Sequence, residues 1–147
     1  MSDRTTAHST FSLERSYGVP PERVFAAWSD PEAKARWFGA AEHELDFRIG
    51  GGEVNRGQLD NGNRVTFQSW YRDIVPGERI VYDSTLTMGD TVSTVSITSV
   101  QLEPTPEGTR LVLVEQGTYL DGQEQPAWRE EGTGRWLDAL GSELSAA

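Results

Sequence analysis

The residue with the clearest chemical potential is Glu115, in the segment TRLVLVEQG. With period-two alternation, Leu111, Leu113 and Glu115 fall on one strand face, so a carboxylate continues an apolar row. Burial raises the pKa of such a group, and a carboxyl of that kind orients a polar ligand or serves as a general acid or base. The alternative is structural: a site at a cavity mouth, or an ion pair with a buried arginine. Arg15 alternates with Leu13 and Tyr17 in FSLERSY and is the expected partner, because the first and last strands of a meander lie side by side. The structural pair is the leading expectation.

Other candidates form a wall around this pair. Glu53 and Asn55 alternate after the run Gly50-Gly51-Gly52, with only Val54 as an apolar neighbour, and their facing is left open. Tyr82 follows Ile80 at period two. Trp70 and Tyr71 are adjacent, so one of them faces inward and the other outward; Tyr71 is the ligand-site candidate. Trp28, Trp37 and Trp136 lie on apolar helix faces and read first as core. Trp37 and Trp136 are also candidates for the wall of a cavity that would suit a flat apolar ligand.

Several chemistries find no support. The chain has no cysteine, which removes disulfides, zinc-thiolate sites and a cysteine nucleophile. His8 and His43 have no metal-ligand spacing, and no cofactor is expected. No serine sits in a Gly-x-Ser-x-Gly context. The glycine run at 50–52 lacks a following Lys-Ser/Thr and joins strand to strand, so it reads as a turn or bulge and not a phosphate loop. No catalytic residue is assigned.

These side chains must be positioned by a chain of 147 residues, the length of one domain, with net charge −10 from 13 basic and 23 acidic residues. That field repels a phosphate backbone, so nucleic acid is not an expected partner. No apolar run approaches the ~20 residues that cross a bilayer, and no signal sequence is visible. A cytoplasmic protein, monomeric or weakly dimeric, is expected.

Residues 1–8 read as a disordered polar tail and 9–147 as the folded unit. FSLERSY is a one-sided strand. VPPERVFAAWSD is a short helix, and Asp30 caps a second, PEAKARWF, with Pro31 at its first position. From Glu44 to Tyr119 strands and turns alternate, with Asn61-Gly62, Pro76-Gly77 and Met88-Gly89-Asp90 as turn signals. In TVSTVSITSVQLEP the apolar phase shifts from Val95 and Ile97 to Val100 and Leu102, which predicts a β-bulge near Thr98-Ser99. The C-terminal segment is a helix striped by Trp136, Leu137, Leu140 and Leu144, with Trp128 two turns earlier. The result is an α+β fold: a curved antiparallel sheet of about six to seven strands around a long C-terminal helix.

ERSYGVPPERVFAAWSDPEAKARWFG, FRIGGG, YRDIVPGERIVY, TRLVLVEQG and GTGRWLDAL, in this order and spacing, resemble the activator of Hsp90 ATPase-like branch of the START/Bet v 1 (SRPBCC) helix-grip superfamily. The resemblance implies a helix-grip fold with a ligand cavity between sheet and last helix. Binding of a small, mostly apolar molecule there is the leading functional expectation. A cyclase- or hydrolase-type enzyme using the same cavity and a co-chaperone-like interaction protein are the alternatives. The lack of a plausible nucleophile counts against the first. The lack of the second, N-terminal domain of the eukaryotic activator counts against the other.

Overall fold

The computed structural model describes residues 4–39, 41–59 and 61–146. The element order is β1 (Thr6–Tyr17), α1 (Pro21–Ser29), α2 (Pro31–Phe38), β2 (Glu42–Leu45), β3 (Gly52–Gln58), β4 (Arg64–Val75), β5 (Arg79–Met88), β6 (Thr91–Thr105), β7 (Gly108–Leu120) and α3 (Pro126–Ser145). The strands form one antiparallel sheet in the order β1-β7-β6-β5-β4-β3-β2. Six of them follow in a meander, and β1 closes onto β7 from Thr6↔Leu120 to Tyr17↔Thr109. The curved sheet holds α3 against its inner face, as expected for a helix-grip α+β fold.

Local chemistry explains the joints. Pro21 and Pro31 occupy first-turn positions, where a missing N–H costs nothing. The Asp30 carboxylate accepts from Ala33 N and starts α2 directly after α1. Trp28 and Trp37, one from each short helix, meet edge to face at 4.9 Å, and the Trp37 indole donates to the Ala27 carbonyl. On α3 the buried stripe is Arg129, Thr133, Leu137, Leu140 and Leu144, a helical repeat that includes two polar residues.

Two sequence expectations are corrected here. β1 starts at Thr6, so part of the segment read as a polar tail is strand paired with β7. No bulge occurs at Thr98-Ser99: pairing with both neighbours runs unbroken from Thr94 to Gln101. The irregularity sits earlier, where Ser93 is the extra residue between Leu86↔Thr94 and Thr87↔Val92. The apolar phase change has a different cause. Thr94, Ser96 and Thr98 face the interior in continuous register with Val100 and Leu102, whereas Val95 and Ile97 face outward and are 43% and 54% exposed. The interior half of β6 is simply made of hydroxyls.

Candidate functional site

The inner face of the sheet carries two polar rungs. The first runs Glu53↔Ser69↔Ser84↔Ser96 over β3 to β6, and the second Tyr71↔Tyr82↔Thr98↔Glu115 over β4 to β7. All eight residues are buried. Period-two register places each on the concave side, and α3 supplies the cover. Buried polar groups must be partnered, and here they partner one another. Ser69 and Ser84 share a hydrogen bond of 2.7 Å.

Each end of this band is closed by a charged cluster. At one end Glu115 Oε1 accepts from Arg129 Nε at 2.6 Å. The same guanidinium donates to Glu124 Oε1 at 3.0 Å and to Ser96 Oγ at 3.0 Å, and its plane lies over the Phe67 ring at 5.2 Å. Thr94 Oγ1 also donates to Glu124, at 2.6 Å. Burial pushes the Glu115 carboxyl above its ordinary range; Arg129 opposes that shift, and Glu124 adds to it.

At the other end Glu53 accepts from three donors. Lys34 Nζ lies 2.9 Å from Oε1, His43 Nε2 2.7 Å from Oε2, and the Tyr71 hydroxyl 3.3 Å from Oε1. The Lys34 ammonium is also ringed by Trp28, Trp37 and Phe38, with centroids at 4.5 to 5.4 Å. Burial would raise the Glu53 pKa, but Lys34 and His43 outweigh it and hold the carboxyl below its ordinary value. Asn55, inward on β3, donates to the Phe38 carbonyl at 3.1 Å and ties β3 to the end of α2.

Beside the band, between the N-terminal half of α3 and strands β3 to β5, lies a cleft of about 470 Å³. Phe38, Phe67 and Trp136 form an aromatic triangle in its wall, with centroid separations of 4.3 to 6.2 Å. Leu59, Val65, Leu86 and Met88 continue the apolar surface. Asn55, Glu124, Arg129 and Thr133 bring polar atoms to it, and Trp128 and Arg135 stand at its rim. Its size is that of small-molecule sites, about 300–1,000 Å³, and the mixture of aromatic wall and few polar groups is typical of them. A larger groove of about 970 Å³ runs between β1 and α3, along Arg15, Tyr17, Asp138 and Gly141, and contains none of Phe38, Phe67 and Trp136.

Residues 18–145 match the family described as Activator of Hsp90 ATPase homolog 1-like protein. The chain belongs to this family. Similar chains of known structure share the whole fold with it. A protein from Rhizobium leguminosarum is 39% identical with a TM-score of 0.95, over 98% of this chain and 99% of that one. Mll3558 from Rhizobium loti is 42% identical with a TM-score of 0.88, over 95% and 99%. CV1439 from Chromobacterium violaceum is 30% identical with a TM-score of 0.79, over 94% and 98%. Among curated proteins none matches. The Activator of Hsp90 ATPase homolog 1-like fold therefore frames the cleft.

Within that frame the sequence candidates separate. Trp136 lines the cleft. Trp37 is core, packed on Trp28 and Phe38. Glu53, Tyr71 and Tyr82 are buried in the polar band, and Glu115 closes one end of it. The expected Arg15–Glu115 pair does not form. Arg15 stands opposite Leu111, four residues along β7, and leaves the band to bond Asp138 at 2.8 Å and the Gly134 carbonyl at 3.3 Å. Glu115 does pair with a buried arginine, but it is Arg129.

Arg129, Lys34, Phe38, Phe67 and Arg135 were not singled out from sequence. Arg129 carried a signal, since it precedes Thr133 and Leu137 at spacing four and so shares the buried stripe of α3. Lys34 is the sole lysine among thirteen basic residues, and it lies three and four residues before Trp37 and Phe38 on a short helix.

Proposed function

We propose that this protein binds a small, mostly apolar molecule in the cleft between β3–β5 and the N-terminal half of α3. The aromatic triangle of Phe38, Phe67 and Trp136 around a space of about 470 Å³ carries this reading. Gly132 supports it: a side chain there would meet only the Arg135 guanidinium, at 3.7 Å, so a mid-helix glycine leaves the cleft open. Family membership adds a fold whose sheet and last helix flank the site. Binding is favoured over turnover because Glu115, the strongest acid–base candidate, is held by Arg129. Among the described residues no helix is long and apolar enough to cross a membrane. We propose a cytoplasmic protein that acts as a monomer or weak dimer.

The test is a thermal-shift and native mass-spectrometry screen of apolar aromatic and aliphatic metabolites. Stabilising ligands are expected, and Gly132→Leu, which fills the cleft, should abolish their effect. Ligands that stabilise the Gly132→Leu variant equally would place binding elsewhere.

A further inference from the structure

The charge across the cleft is uneven. Behind its lining Glu115 shares the Arg129 guanidinium with Glu124, which lines the cleft itself. The formal count there leaves one negative charge in surplus. At the rim stands Arg135, whose side chain makes no hydrogen bond or ion pair with any described residue although the chain is acidic by ten charges. Arg23 and Arg64 share that condition, but neither lines the cleft. The Arg135 guanidinium lies beside Gly132, 3.7 Å from where a Cβ would stand, and Arg135 also borders a second groove with Glu130, Glu131 and Asp138. Phe38, Phe67 and Trp136 line the same cleft.

An amphipathic anion fits this arrangement in one orientation. A carboxylate directed inward would meet the surplus charge of Glu115 and Glu124. Directed outward, it reaches a guanidinium whose planar donors match it and have no competing partner. We propose that the cleft takes a small aromatic carboxylate, ring inward against Phe38, Phe67 and Trp136, carboxylate outward at Arg135. This inference rests on the reading that the cleft binds ligand, and adds the ligand's charge and direction.

Isothermal titration calorimetry with 2-naphthoate and its neutral near-isostere 2-naphthamide separates the two. For the unaltered protein, naphthoate should bind about fivefold tighter than naphthamide, the scale of a solvent-exposed charge pair, and the preference should shrink with added salt. Arg135→Gln, on an exposed side chain, should weaken naphthoate more than naphthamide and erase the preference. Gly132→Leu and, as a second variant on an exposed residue, Trp128→Ala should weaken both compounds. Equal affinities for the two compounds, or a preference that survives Arg135→Gln, would overturn the carboxylate assignment while the cleft reading stands. Failure of both compounds to bind, or full binding to both cleft variants, would overturn the cleft reading and this inference with it.

Discussion

Arg129 on the first turns of α3 donates to Glu115 in the middle of β7 at 2.6 Å, and the same guanidinium reaches Glu124 at 3.0 Å. One cation therefore serves two carboxylates, and the two sides of the cluster are unequal under mutation. Glu115→Gln leaves Arg129 paired one to one with Glu124 and removes a carboxyl that burial disfavours in its charged form, so its cost should stay within about 1 kcal/mol. Arg129→Met strands two carboxylates and should cost about 3–5 kcal/mol. Urea unfolding of both variants at pH 7 measures the asymmetry; equal losses would mean that Glu124 does not share the guanidinium.

Lys34 and Glu53 form a fully buried pair, 1% and 3% exposed at the side chain. Glu53→Gln should cost about 3–5 kcal/mol, because it leaves the ammonium without its counter-charge. Lys34→Met combined with Glu53→Gln should recover most of that loss, since the amide still accepts from Tyr71 and no buried charge remains.

The same pair sets a pH dependence. The Glu53 carboxyl is held below its ordinary value of 4.5 in the folded protein, so the unfolded chain takes up its proton first as pH falls. Its stabilisation is complete above that value and is lost as pH drops below it through the folded pKa. Glu115, raised by burial, acts with the opposite sign: its contribution favours folding at low pH and is lost as pH rises through its folded pKa. Stability profiles of Glu53→Gln and Glu115→Gln between pH 3 and 7 should therefore diverge from the unaltered protein in opposite directions.

Gly132 lies inside α3 with open space beside it. Gly132→Ala should stabilise the protein by up to about 1 kcal/mol through helix propensity alone, seen as a higher midpoint in urea. A loss of stability would show that something already occupies that space.

Arg15 and Asp138 are joined at 2.8 Å in a solvent-facing position, with the aspartate 68% exposed. Such pairs contribute about 0–1 kcal/mol. Asp138→Asn should change the unfolding free energy by no more than that, and Arg15→Gln should leave binding in the cleft unaffected, as calorimetry would show.

The fold was legible because its signals are local. Asp30-Pro31, the turn glycines and the α3 stripe each act within a few residues, and the ordered motifs joined them. The buried polar network was only half legible. Glu115 announced itself by interrupting an apolar row, but its partner is fixed by where α3 docks, and alternation along β1 carries no information on that. His43, which has no useful neighbour in sequence, meets Glu53 because β2 and β3 pair in antiparallel register at His43↔Asn55 and Leu45↔Glu53. In β6 the apolar residues pointed the wrong way: Val95 and Ile97 lie outside, and Thr94, Ser96 and Thr98, which alternate with them, lie inside.

That row of inner hydroxyls has a mechanical consequence. A serine or threonine hydroxyl turns about one bond and presents either a proton or a lone pair, and between Ser69 and Ser84 either oxygen can be the donor. The lining of the sheet therefore behaves as a set of small rotors. When charge appears or disappears at Glu115, the dipoles can swing to follow it while every strand stays in place.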